Sequence, residues 1–299
     1  MLSDAISFAN QFNNNGRQNM PNKALPTNHQ PQRIIYDLGA NIGSNLDYYL
    51  KKADKVVAVE ANPLLAQRLR DKFSDALAAG KLVIEQSVIS AERNSEKVPF
   101  YIHKEHSAIS QFPKPDDSII DEFDRVLLPS KSIADIIKQH GAPWYIKIDL
   151  EHYDAIVLRA LFANGIRPPF ISAEAHKVDI FTTLAAVGGY SAFQAIDAYT
   201  IPNRFKNHMI QTLHGVEKYS FAYHSAGPCG DDLGSGWLTA DNVAGQLAIE
   251  GFGWKDIHAT TEFEADKSRR PYQIILRIAN LIWIIGRALR YPKSIIPPK

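Results

Sequence analysis

The chain has 299 residues, with 33 Lys plus Arg against 32 Asp plus Glu for a formal net charge of +1, and is 45% hydrophobic and 22% charged. This composition suits a globular protein with a full core; it excludes a disordered, collagenous or rod-like chain and gives no support to a nucleic-acid binder, which is usually basic overall. One cysteine, Cys229, excludes an internal disulfide framework and a Cys-rich zinc site, so a reducing, cytoplasmic setting is expected.

The N-terminal stretch contains Asp4 and no apolar run of the signal-peptide kind, and residues 10–32 are rich in Asn, Gln and Pro. Residues 1–32 are therefore expected as a flexible arm ahead of the first core element. From Arg33 the pattern changes. IIYDLGA reads as a buried strand ending in a glycine turn, and NIGSNLDYYLKKA as a helix. KVVAVEANP is a second buried strand, and Pro63 opens the helix LLAQRLRDKF. Further strands are expected over 81–90, 98–104, 144–151, 170–176 and 191–197, with helices over 132–141, 154–165 and the IFTTLAAVGGY segment. Such alternation predicts an α/β fold: a mostly parallel, doubly wound sheet with helices on both faces and ligands at the carboxyl ends of the strands. Residues 198–266 carry many Gly, His and aromatic residues and are expected as an elaboration or lid beside the sheet. That makes 33–266 one domain with its core in 33–197.

The sharpest local signal is Asp37-Leu38-Gly39-Ala40-Asn41-Ile42-Gly43, between a strand and a helix. Glycines there let the backbone turn tightly against a ligand, and the helix start offers free N–H groups. Glu60, ending the second strand, is placed to accept the hydroxyls of an adenosine ribose. A plain glycine turn in an α/β core has the same appearance, so the ligand must be argued from charge. A dinucleotide site wants G-x-G-x-x-G, and only Gly39 and Gly43 are present. Asp37 would repel a pyrophosphate and attract a cation. S-adenosylmethionine (SAM) has a sulfonium, an ammonium and no phosphate, which favours it over NAD or FAD.

YDLGANIGSN, VVAVEANP, YIKIDLEHYD and ISAEAH, in this order and spacing, resemble the FkbM family of SAM-dependent methyltransferases over about residues 33–197. The resemblance implies a Rossmann-like class I methyltransferase fold. Asp37, Gly39, Asn41 and Gly43 would hold the methionine end of SAM, and Glu60 the ribose. Ala61 and Asn62 would flank the adenine, with Ser87 and Val88 lining its other side. Asp149 and Glu151 would stand where the sulfonium methyl meets the acceptor. The O-methyl preference and the sugar-containing or small polar acceptor likewise come from the family. Two positions depart from its pattern: His152 stands where glycine is usual after IKIDxE, and Cys229 where phenylalanine is common.

Strand alternation sends Lys147 and Asp149 to one face and Ile146 and Ile148 to the other. Methyl transfer is an in-line displacement dominated by positioning, but a hydroxyl or amine acceptor must also lose a proton. His176 is the first candidate for the base, with Asp149 second and Glu174 beside them. Asp149, Glu151, Glu174 and His176 also form a donor set that would suit Mg²⁺, although nothing in the sequence requires a metal and none is predicted. Ser107 in HKEHSAISQF and His224 in HSAGPCGDDLGSGW are expected at the pocket rim with Glu151 and His152, the second loop being a candidate mobile lid. Alternatives are an N-methyltransferase, an NAD-linked oxidoreductase, and a non-catalytic SAM- or glycan-binding protein held at a membrane.

The net charge conceals an asymmetry. Residues 267–299 hold eight basic residues (Lys267, Arg269, Arg270, Arg277, Arg287, Arg290, Lys293 and Lys299) and no acidic one, leaving −7 on the first 266. Within that tail, 272–290 is amphipathic: Ile274, Ile275, Ile278, Leu281, Ile282, Ile285 and Leu289 share half of the helical wheel. Arg277 leaves too short an uncharged run for a membrane span. Peripheral contact with the inner face of a membrane, packing on the acidic body and an oligomer contact all fit; the oligomeric state itself is not legible.

Overall fold

The computed structural model describes residues 32–91, 97–268 and 271–290. The expected arm lies outside the described residues except for Gln32, as do Arg269, Arg270, Lys293 and Lys299 of the basic tail. Strand β1 (Ile34–Leu38) is buried along its whole length. After the glycine turn, α1 (Leu46–Lys52) buries Leu46, Tyr48, Tyr49 and Lys52. β2 (Lys55–Val59) pairs in parallel with β1. α2 (Pro63–Lys72) starts where the Asn62 side chain accepts from Leu64 N–H at 3.0 Å with Pro63 in the first turn. α3 (Ser74–Ala78) then leads to β3 (Leu82–Glu85), parallel to β2.

The run expected as one strand over 81–90 divides here. After Gln86 and Ser87 the chain leaves the main sheet, and β4 (Val88–Ser90) joins a separate three-stranded sheet with β5 (Lys97–His103) and β6 (Phe123–Ser132). Ser132 caps α4 (Ile133–His140) by accepting from Asp135 N–H at 3.1 Å. β7 (Tyr145–Ile148), α5 (Asp154–Ala163), β8 (Phe170–Glu174), α6 (Val178–Thr182) and β9 (Ala192–Asp197) follow as the alternation predicts. α7 (Ile201–Arg204), the hairpin of β10 (His208–Thr212) and β11 (Gly215–Tyr219), α8 (Ala240–Glu250), β12 (Lys255–Thr260) and α9 (Pro271–Arg290) complete the order.

The main sheet runs β3-β2-β1-β7-β8-β12-β9 and is parallel except for β12, which is antiparallel to both neighbours. Residues 198–266 were expected beside the sheet; instead β12 lies inside it, pairing Asp256 with Glu174 and Ile196. Side chains alternate between the two faces. Tyr36, Leu38, Ile146 and Ile148 enter one core with α4, α5 and α6, while Ile35, Val56, Ala58 and Tyr145 enter the other with α1 and α2. The chain winds outward from β1 through β2 and β3, then returns to β7 on the other side. The carboxyl ends of β1 and β7 therefore flank the point where the order reverses, where doubly wound sheets bind ligands.

Candidate active site

At that switch point the backbone is fixed by close approach. Gly39 has φ +86°, and a Cβ there would lie 1.9 Å from the Asp149 carbonyl oxygen. Gly39 and Ala40 N–H both donate to Val59 O at 3.0 Å, so the turn leans over the end of β2. Asn41 takes φ 49° and donates its N–H to Glu60 Oε2 at 2.7 Å, while Asn62 N–H donates to Glu60 Oε1 at 2.7 Å. Gly43, at φ +76°, packs against Leu69 and Phe73 of the α2 region.

Above the strand ends lies a cavity of about 530 Å³. Its first end is lined by Gly39, Asn41, Glu60, Ala61, Ser87 and Val88, and its second by Asp149, Glu151, Glu174 and His176. Ser107 and His224 stand at its edge with Phe112 and Tyr153, as do Tyr199, Tyr223 and Trp254. Four residues expected at the site do not line this cavity. Asp37 is fully buried beneath the turn, Gly43 shapes the turn, Asn62 caps α2, and His152 places its ring 5.0 Å from that of His176. Three polar side chains around the first end lack hydrogen-bond partners among the described residues: both oxygens of Asp37, Asn41 Oδ1 and Ser87 Oγ.

The second end is an acidic cluster around one lysine. Lys147 Nζ, on the face predicted for it, donates to Asp149 Oδ2 at 2.7 Å. His176 Nε2 lies 3.0 Å from Glu174 Oε2 and 4.0 Å from Glu151 Oε2. It makes no hydrogen bond, so the first contact is a charge pair off the N–H direction. Donor atoms of Glu151, Glu174 and His176 all fall within 4.8 Å of one another, a spacing open to a divalent cation. Helix α5 is entered at Tyr153, while the Asp154 carboxylate accepts from Leu150 N–H at 3.0 Å and braces the β7 exit. Sequence reasoning missed Asp154 and Asp256. Asp256 could be found only once β12 was known to pair with β8.

Burial dominates the titration of these groups. It pushes Asp37 up to about 6, Asp154 to about 7 and Asp256 to about 8, and Glu60 to about 7 despite its N–H partners. The Lys147 charge and the Asn45 amide moderate the rise at Asp37. Burial, then the neighbouring Asp149 charge, also raises Glu151 and Glu174. Asp149 differs: burial opposes its ionisation, but Lys147 outweighs burial and holds it below the usual carboxylate range. Contact with Glu174 raises His176 to about 9.

A carboxylate raised on folding takes up a proton, so each contributes a loss of stability as pH climbs from its unfolded to its folded value. His258, pushed down to about 3 by burial, acts in the opposite sense only up to its ordinary 6.5. His176 is raised, so its stabilisation is full below 6.5 and disappears through about 9. The melting temperature without ligand is therefore expected to fall as pH climbs from about 4.5 to 8, because six raised carboxylates outnumber His258 at the lower end and His176 adds to the loss at the upper. Thermal unfolding across that interval checks this, and a rising melting temperature contradicts it.

The glycine-rich loop 224–237, expected as a lid, is held against α1. Ala226 N–H donates to Asn45 Oδ1 at 2.7 Å, and Cys229 N–H to Tyr48 Oη at 3.0 Å. Tyr48 Oη in turn donates to Asp232 at 2.7 Å, and fully buried Lys52 pairs with Asp231 and, at 2.9 Å, with Asp232. These buried contacts make residues 226–232 a wall, leaving His224 at the cavity edge.

The strand order, the single antiparallel strand next to the last position, and a cavity at the switch point define a Rossmann-like class I methyltransferase fold. The methyltransferase FkbM domain matches residues 37–211, more than half of the chain, and the chain belongs to the FkbM family of SAM-dependent methyltransferases. No curated protein matches it. Among solved structures it is similar to a methyltransferase FkbM from Methylobacillus flagellatus KT, at 18% identity and a TM-score of 0.34, over 55% of this chain and 39% of that one. It is also similar to the spermidine synthase of Thermotoga maritima, at 9% identity and a TM-score of 0.35, over 78% and 54%. A SAM-dependent methyltransferase from Aquifex aeolicus gives 13% identity and a TM-score of 0.30, over 55% and 76%. The chain thus spans less than two thirds of the first two structures' own length.

Proposed function

We propose that the chain transfers the methyl group of SAM to a hydroxyl of a sugar-containing or small polar acceptor. The observation that carries this reading is Asp37, a fully buried carboxylate whose two oxygens lack a close hydrogen bond and have only the Asn45 amide and the Lys147 charge to moderate them, beneath a turn that a Cβ would fill. Such a group favours a cation over a phosphate, which speaks against the NAD-linked alternative. SAM supplies an electrophilic methyl on a sulfonium. Each Glu60 oxygen accepts one of these N–H bonds and keeps a lone pair for a ribose hydroxyl, and Ser87 Oγ is free for the adenine edge.

Asp149, kept ionised by Lys147, orients the acceptor hydroxyl, and His176 Nε2 takes its proton, the Glu174 carboxylate 3.0 Å away stabilising the imidazolium that forms. The acceptor lies toward the β8, β12 and β9 ends. There Tyr199, Tyr223 and Trp254 stand in edge contact at 5.0–5.3 Å between centroids, giving flat apolar faces suited to a sugar ring. The surplus of carboxylates at the same end supports an amine acceptor as the second reading.

Calorimetric titration separates the cofactors: SAM is expected to bind and NAD not, and absence of SAM binding sinks the proposal. Asp37→Asn removes the charge and keeps the side chain's shape. It is expected to lower SAM affinity roughly 10- to 100-fold, by analogy with a lost charge-assisted bond, while leaving the ligand-free chain as stable or more stable. Labelled-methyl transfer to hydroxyl and amine acceptor pools then decides the class of acceptor; binding without any transfer would favour the non-catalytic alternative.

A further inference from the structure

Helix α9 spans 20 residues, about 30 Å, and touches the rest of the molecule along one side of its first turns. Tyr272 and Leu276 pack on Gly245 of α8, where an added Cβ would come within 3.0 Å and 3.1 Å of them. The Tyr272 hydroxyl donates to Glu250 at 2.8 Å. On the opposite side, roughly 150° round the wheel, Ile274, Ile278, Leu281, Ile282, Ile285 and Leu289 form one stripe. Each of the six is 50–81% exposed. Soluble surfaces rarely leave such a contiguous apolar stripe bare, so it has an occupant.

The body is not that occupant, because α9 turns its other side to α8. Nor does the helix span a bilayer, since no described helix is long and apolar enough. A second copy would bring two stripes together with Arg277 at their border and Arg287 and Arg290 on the polar half, and residues 267–299 contain no acidic side chain to pair with them. The same charges suit an anionic surface. With Arg277 at the border, Arg287 and Arg290 on its polar half and a wholly apolar stripe opposite, α9 has the pattern of a helix that lies in a headgroup boundary; Trp283, 5.3 Å from the Arg287 guanidinium, belongs to the polar half.

We propose that α9 lies in the surface of an anionic lipid bilayer, its isoleucine–leucine stripe in the acyl boundary and its arginines against headgroup phosphates. The full chain is expected to co-sediment with phosphatidylcholine vesicles containing about 30% phosphatidylglycerol at least about tenfold better than with phosphatidylcholine alone. The triple variant Ile278→Glu, Ile282→Glu, Ile285→Glu is expected to lose that binding about tenfold or more while keeping the parent's melting temperature, because the stripe touches nothing else. Equal sedimentation of parent and triple variant overturns the proposal. So does a parent dimer, seen by light scattering, that the triple variant dissolves without any vesicle binding by the parent.

Discussion

Replacing Gly39 by alanine is expected to abolish SAM binding and to destabilise the chain by about 3 kcal/mol or more. Two costs combine. A φ of +86° is strained for any residue with a Cβ, at about 1 kcal/mol, and the new methyl would sit 1.9 Å from the Asp149 carbonyl oxygen. That oxygen cannot retreat cheaply. Asp149 N–H is bonded to Leu38 O at 3.0 Å, and β7 is clamped between β1 and β8 by parallel ladders with buried residues on both faces. Gly80 is the control: its φ of +68° is similar, but nothing lies within 4 Å of its would-be Cβ. Gly80→Ala should therefore cost only about 1 kcal/mol and leave SAM affinity unchanged. Denaturant unfolding and calorimetric titration of the two variants check the pair. Wild-type SAM affinity in Gly39→Ala would show that the cofactor does not lie against this turn.

The half of the site built from β1, β2 and β7 was legible because its devices are local. A glycine turn needs Gly39 where the backbone must approach β7, an acidic strand end is visible at Glu60, and strand alternation alone puts Lys147 beside Asp149. The acceptor half was harder for a physical reason. β12, KDIHAT, contains Lys255, Asp256 and His258, yet every one of its six residues is buried. Its burial comes from lying between β8 and β9, a non-local fact, and its charges make it look like surface. The same holds for β6, whose FDRVLLPSKS places exposed charges and Pro129 in a strand of a small side sheet. The division of 81–90 between two sheets is invisible too, because Val88 and Ile89 are as buried as Leu82. Trp254, at the head of β12, reaches the cavity only through that pairing, so the aromatic edge with Tyr199 and Tyr223 could not be assembled from the sequence. Asp37 was flagged for its sign, but its complete burial without a close hydrogen bond required the structure.

The largest rate effect is expected at His176. In the ligand-free site its imidazole, held near 9 by contact with Glu174, carries a proton at neutral pH and must lose it before it can accept one from the acceptor. The base form is therefore the minor form at pH 7, and kcat/KM for methyl transfer is expected to rise with unit slope toward about pH 9 and then level off. His176→Ala should remove that inflection and lower kcat about 10²- to 10⁴-fold, the range of a positioned general base. Changes in the KM for SAM should stay small, because SAM is assigned to the opposite end of the cavity. The competing base makes a different profile. Asp149 is held below the ordinary carboxylate range by Lys147, so proton removal by Asp149 would leave the rate flat above about pH 5 and largely indifferent to His176→Ala. Asp149→Asn then serves as the converse probe. If His176 is the base, the substitution lowers the rate by losing acceptor orientation, yet the inflection persists. With one fewer anion near the imidazole, the imidazolium is less favoured and the inflection should shift to lower pH. A flat profile in the parent enzyme, or an inflection that survives His176→Ala, assigns the proton to Asp149 or its carboxylate neighbours instead.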